Sequence, residues 1–134
     1  MNEIAQFSPD SLIATCRIVE GELAFGVAKS ERVIENLREQ ERFLNTISIL
    51  ELSSEIANAY GIVKAALFEK YAPKQKNLRE KFDVTKDLGI SDNDIWIAAF
   101  AWQHQLKVVT SDKSHFQWIR EATGTPFENW GIQV

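Results

Sequence analysis

The sequence predicts an α/β fold, a parallel sheet covered on both faces by helices. Three observations carry that expectation. Apolar runs at 11–16, 47–50 and 106–110 have strand length and are rich in branched residues. They alternate with segments whose apolar residues recur at helical spacing, an order that places parallel strands between helices. No linker, repeat or low-complexity stretch divides the 134 residues, so the expectation is one domain, 1–134, able to bury about two-thirds of its unfolded surface.

In chain order, Pro9 and Asp10 make a turn before the strand SLIATC, 11–16. RIVEGELAFGVA, 17–28, reads as a helix. Ser30 is a candidate cap for the next one, with Ile34, Leu37 and Leu44 at helical spacing. ISIL, 47–50, alternates weakly and reads as a short strand. SSEIANAYGIVKAALFEKYA, 53–72, is the clearest amphipathic helix: Ile56, Tyr60, Val63 and Leu67 advance by four, three and four, and Pro73 ends it. A polar, basic stretch covers 74–89. The helix that follows opens with Ser91, Asp92 and Asp94 and is apolar from Ile95 to Trp102, so it is expected to be buried all round. LKVVT, 106–110, is a strand and SHFQWIREA, 114–122, a short helix. After the Gly124–Pro126 loop, GIQV, 131–134, is expected as an edge strand.

Composition narrows the class. The chain is 45% hydrophobic and 25% charged, with no disorder signature, and its net charge of −4 argues against a generic nucleic-acid coat. An acidic active site remains compatible with that charge. No apolar run reaches the roughly 18 residues of a membrane span, and the polar start does not read as a signal peptide. The lone Cys16 excludes an internal disulfide and fits a reducing cytoplasm. Its apolar surroundings make it core filler.

Ligands of open α/β sheets bind beyond the carboxyl ends of the strands, and three acids fall near such ends. Glu22 interrupts the apolar stripe of helix 17–28, about 40° around from Ile18. Asp94 shares a helix side with Ile97, Ala98 and Ala101, where a carboxylate is nearly buried and requires a partner. Asp112 follows strand 106–110 by two residues. Each has a plain structural reading: pairing with a basic residue for Glu22, helix-start charge for Asp94, and capping of helix 114–122 for Asp112. Converging acids would instead repel unless a divalent cation sat among them, and oxygen ligands without clustered His or Cys point to Mg²⁺ or Mn²⁺.

DIWIAAFAWQHQLKVVTSD, 94–112, resembles the later acidic motifs of PIN-domain nucleases, in which an aspartate heads an Ile-Ala-Ala helix and another acid follows a Val-Thr strand end. IATCRIVEGELAFGVAKS, 13–30, resembles the segment carrying that family's glutamate. Order and spacing are similar to VapC-type toxins from about residue 11 onward. The resemblance implies a PIN-like α/β/α sandwich. It also implies Glu22, Asp94 and Asp112 as metal-site and catalytic acids, with Thr110 and Ser111 as supporting hydroxyls and Asp92 as a helix-start companion. Its implied activity is Mg²⁺- or Mn²⁺-dependent hydrolysis of RNA to 5′-phosphate products. A cognate antitoxin is the implied partner, and a homodimer follows by family analogy.

The family's opening strand, a Leu-Leu-Asp-type segment carrying the first metal-binding aspartate, has no counterpart here. Asp10 lies at the wrong end of strand 11–16 to replace it. Two readings stand: a coding start placed too late, or a truncated relative that binds an antitoxin or RNA without cutting it. Lys74, Lys76 and Arg79, with Lys81 and Lys86, could contact an RNA backbone. Interleaved acids Glu80, Asp83 and Asp87 favour a solvated loop instead. Trp102 and Trp118 are expected in the core rather than as base-stacking platforms. A metal-free ribonuclease using His104 and His115, and a phosphoacceptor receiver domain, are weaker alternatives.

Overall fold

The computed structural model describes residues 13–110 and 113–129. Two compact units divide between Leu52 and Ser53. The first contains β1 (Ala14–Cys16), α1 (Arg17–Ala28), α2 (Val33–Leu44) and β2 (Ser48–Leu50). The second contains α3 (Ser54–Tyr71), α4 (Lys76–Arg79), α5 (Val84–Leu88), α6 (Asp92–His104), β3 (Val108–Thr110), α7 (Lys113–Thr123) and β4 (Phe127–Asn129).

Every described strand pairing is parallel, as the alternation of strands and helices requires. β1 pairs with β2 in the register Ala14↔Ser48, Thr15↔Ile49 and Cys16↔Leu50. β3 pairs with β4 through Val108↔Phe127, Val109↔Glu128 and Thr110↔Asn129. β4 arises from residues expected to lie between elements, while the predicted strand 131–134 falls outside the described residues. Thr125, buried just before β4, shares a 2.7 Å hydroxyl contact with Thr123 and thereby ties off the end of α7.

In the first unit, burial at β1 pushes the Cys16 thiol up from its ordinary value. Cys16 is the buried core filler its neighbourhood predicted. Arg17 on α1 bridges Glu51 and Glu20 at 2.9–3.0 Å. Ser30 does not cap α2, whose N-cap position is Arg32. Its hydroxyl instead donates to the carbonyl of Val27 at 2.6 Å and closes the end of α1. That local bond competes with capping forward, as serine side chains often do.

The second unit is organised by α3. Ile56, Val63 and Leu67 are buried on it, as the period predicted, while Ala59 takes the place expected for Tyr60, which is half-buried because its hydroxyl reaches Asp92. Ser53 caps the helix by accepting the Ile56 N–H. Val63 and Leu67 join Val84, Ile90, Ile95, Ala98, Ala101, Val108, Phe116 and Ile119 in one core. The basic stretch is not a plain loop, because α4 and α5 form within it. Asp83 caps α5 by accepting the Thr85 and Lys86 N–H groups, while its own N–H donates to Asp87 at 2.8 Å. Gly89 ends α5 at φ +71°, a left-handed conformation that glycine adopts without Cβ strain.

The backbone bond from Lys86 and the Thr85 hydroxyl hold the Asp83 carboxyl below the usual carboxylate range. A group depressed in the folded state contributes stability above its unfolded pKa and loses it as pH falls through the folded value. Acid melts of Asp83→Asn should therefore show a shallower stability loss below about pH 4 than the parent chain. Parallel acid limbs for the two proteins would show that the cap carries no pH-dependent stability.

Candidate functional site

α6 begins where Ser91, in extended backbone, turns its hydroxyl to accept the Asp94 N–H at 3.1 Å. The Ser91 carbonyl accepts the same N–H at 3.1 Å. A serine cap of this kind contributes about 1 kcal/mol. Here it also fixes the backbone that bears the candidate acid. The helix then buries Ile95, Ala98, Ala99, Phe100 and Ala101, so its first turn cannot rotate without disturbing the core.

Asp92 and Asp94 part company at this turn. Asp92 is exposed and accepts a short hydrogen bond from the Tyr60 hydroxyl of α3. Lys64 donates to the same hydroxyl at 3.1 Å and lies 3.7 Å from the Asp92 carboxylate. The Tyr60 ring stacks on Trp96 with centroids 4.0 Å apart. Burial, then the Asp92 bond, pushes the Tyr60 hydroxyl up, and the Tyr60 bond raises Lys64. Asp92 thus clamps the start of α6 to α3, a larger role than first-turn charge.

Asp94 is half-buried, with 19% of its side chain exposed. His115, in the first turn of α7, brings Nδ1 to 3.8 Å from its Oδ2. That distance exceeds a direct hydrogen bond. Among the described residues no group of three or more His, Cys, Asp or Glu side chains is arranged to hold a metal ion. Asp112 and Ser111 lie outside the described residues. Thr110 ends β3, at the carboxyl end of the parallel ladder and half-buried.

Glu22 lies in the first unit on α1, a helix with no buried residues. Glu22, expected within an apolar stripe, is exposed, because no residue of that stripe is itself buried. Trp102 and Trp118 are also corrected. They are 38% and 37% exposed, because the buried arcs of α6 and α7 are filled by smaller or shorter side chains. Trp118 contributes to an edge-on pair with Tyr71, with centroids 4.7 Å apart. The Tyr71 hydroxyl, pushed up to about 12 by burial and by Glu121, donates to Glu121 at 3.0 Å.

Among the basic candidates, Lys74 and Lys76 are exposed. Arg79 pairs with Glu69 at 2.7 Å and lies 4.7 Å over the Phe68 ring. Its guanidinium is committed largely to joining α4 to α3.

His115 is a neighbour of Asp94 that the sequence pattern did not single out. The two stand 21 positions apart in chain order. No periodicity rule joins residues on different helices, so only a general search for lone histidines near acids would have flagged it.

The PIN domain profile matches residues 3–120. Ribonuclease VapC2 of Rickettsia felis is 26% identical over 129 residues, covering 96% of this chain and 82% of that protein. Among solved structures, the crystal structure of VapBC2 from Rickettsia felis bound to a promoter DNA fragment matches with a TM-score of 0.75 at 25% identity. That match covers 97% of this chain and 84% of the other. VapBC-1 of nontypeable Haemophilus influenzae matches at 0.72 and 22% identity, covering 96% and 82%. At that identity the second match speaks for the fold alone.

Proposed function

Because this chain belongs to the PIN domain family, we propose that it is a divalent-metal-dependent endoribonuclease of the toxin–antitoxin type. The observation that carries the reading is Asp94, a half-buried carboxylate at the head of α6 whose backbone is fixed by the Ser91 cap. It stands where the family resemblance expects an acid. The near-full-length similarity to a ribonuclease supplies the proposed reaction class.

Asp94 and Asp112 would hold Mg²⁺ or Mn²⁺. Glu22 has the same proposed role on the strength of its Gly21-Glu22-Leu23 motif alone. Asp94 offers a half-buried carboxylate oxygen, the donor type that suits such an ion. The chemistry that a divalent cation supplies when bound is activation of water and stabilisation of charge on the phosphate. The chain's own part is positional. The capped turn holds Asp94, the Tyr60–Asp92–Lys64 clamp holds that turn against α3, and the amino end of α6 favours negative charge there. Thr110 and Ser111 are the proposed supporting hydroxyls. Lys74 and Lys76 are the proposed weak contacts to the RNA backbone, with Arg79 contributing less because Glu69 holds it. A cognate antitoxin is the proposed protein partner, in line with structural neighbours that are VapBC complexes, and a homodimer is proposed by family analogy. No helix among the described residues is long and apolar enough to cross a membrane.

The test is cleavage of RNA by the purified chain in Mn²⁺ or Mg²⁺. EDTA should abolish it and excess Mn²⁺ restore it. Cleavage that persists through EDTA would overturn the metal reading. Antitoxin binding without cleavage under any metal would favour the non-cutting module instead.

A further inference from the structure

The two units fasten their proposed acids by opposite means. α6 is capped by Ser91 and buries five residues, so Asp94 is held by a cap and a core. α1 buries none of its residues, and its N-cap, Cys16, makes no side-chain capping bond. We propose that Arg17, latched to Glu51, is a positioning residue for Glu22: it fixes the direction in which α1 leaves β1. The inference rests on the ribonuclease reading above and deepens it.

The latch sits at the end of the ladder. Cys16 and Leu50 are the last register partners of the parallel β1–β2 pair, and Arg17 and Glu51 are the residues that follow them. The Arg17 Nε donates to both Glu51 carboxylate oxygens at 2.9 and 3.0 Å, and Nη2 donates to Oε1 of the same group. Two nitrogens thus engage one carboxylate, the bidentate geometry that gives arginine pairs their directional hold. Nη1 donates to Glu20 at 2.9–3.0 Å. Glu20 lies one turn along α1, so that bond stiffens the first turn and cannot orient the helix against the strands. Glu51 supplies the tie to the end of β2.

Exposed ion pairs contribute little as a rule, and the exceptions are bidentate or networked. This one is both, with 43% of the Arg17 side chain and 65% of Glu51 exposed. Its leverage comes from position. Glu22 is five residues along α1 from Arg17, about 7.5 Å up the axis, so a tilt at the first residue is carried to the carboxylate. Ile18 and Val19 add half-buried contact at this end. Small misplacements of a reacting group are costly in rate, so fastening a helix that buries no residue has kinetic consequences. The guanidinium faces two carboxylates and is committed to them, which excludes Arg17 as a contact for an RNA phosphate.

The experiment compares the full chain with Arg17→Gln, Glu51→Gln, their double variant and Glu20→Gln. Cleavage of a defined single-stranded RNA in Mn²⁺ gives kcat and KM, and hydrogen exchange of the backbone amides is followed without metal. Arg17→Gln and Glu51→Gln should each lower kcat about tenfold with KM for RNA unchanged. The double variant should lose no more than either single one, because both break the same latch. Glu20→Gln should stay within about twofold of the parent. Amide protection should fall along α1 in the first two variants and hold along α3. Unchanged protection of α1 would show that no latch holds it. Lower protection with an unchanged kcat would show that the latch holds the helix but positions no reacting group. Either result overturns the proposal and leaves the ribonuclease reading standing. A parent that cleaves no RNA removes that reading, and the role of Arg17 with it, whatever the exchange shows. Should a glutamine variant fail to fold, Arg17→Lys, which keeps the charge and loses the bidentate pair, makes the same comparison and should still lower kcat at unchanged KM.

Discussion

Asp94→Asn is expected to eliminate Mn²⁺-dependent RNA cleavage while leaving a cooperatively folded chain. The substitution keeps the side chain's size and removes its charge. Residues that merely support a metal ligand cost 10–100-fold when changed, so loss of a ligand should cost at least ~100-fold. Folding should survive, because the Ser91 hydroxyl bonds the backbone N–H of residue 94 and not its carboxylate. The Asp92 clamp to Tyr60 and Lys64 is also untouched. Two readouts separate chemistry from folding. The melting temperature without metal should stay near that of the parent, whereas the rise produced by Mn²⁺, a measure of binding to the native state, should disappear. Cleavage by Asp94→Asn at the parental rate would sink the proposed role.

The second large effect concerns the neighbouring residue. Ile95→Ala should destabilise the chain by about 2–5 kcal/mol. Ile95 has no exposed surface and packs among Val63, Leu67, Ala98 and Ile119. Alanine leaves a cavity that the small neighbours along α6 cannot close by collapse. In a domain of this size such a loss corresponds to a fall of roughly 10 °C or more in melting temperature. A change below about 1 kcal/mol in chemical denaturation would mean that the helix is not seated as described. The paired measurements distinguish adjacent positions: Asp94 should govern metal binding with little effect on stability, and Ile95 the reverse.

Local structure was legible wherever its cause lies within a few residues. The four-three-four spacing from Ile56 to Leu67 announced α3 and its buried face, and Ser91 followed by acids announced the start of α6. Short branched runs marked β1, β2 and β3. Ser30 shows the limit of such signals, since the same hydroxyl can cap forward or bond backward to Val27, and the sequence does not choose. β4 was missed because Phe127–Asn129 has no strand pattern of its own; its pairing with β3 supplies what its composition lacks.

The candidate site divides in the same way. Asp94 was singled out as a candidate because an acid heads an otherwise apolar helix and matches a family motif. His115 beside it was not, nor was the clamp from Tyr60 and Lys64 to Asp92. The outward faces of Trp102 and Trp118 were equally hidden, because an apolar run carries no mark of which side will meet another helix. Hydrogen bonding along the backbone and the periods of helix and strand act over a few residues, so a sequence displays them. Which side chains meet across α3, α6 and α7 depends on how those helices fill one shared core, a constraint distributed over residues from Val63 to Ile119.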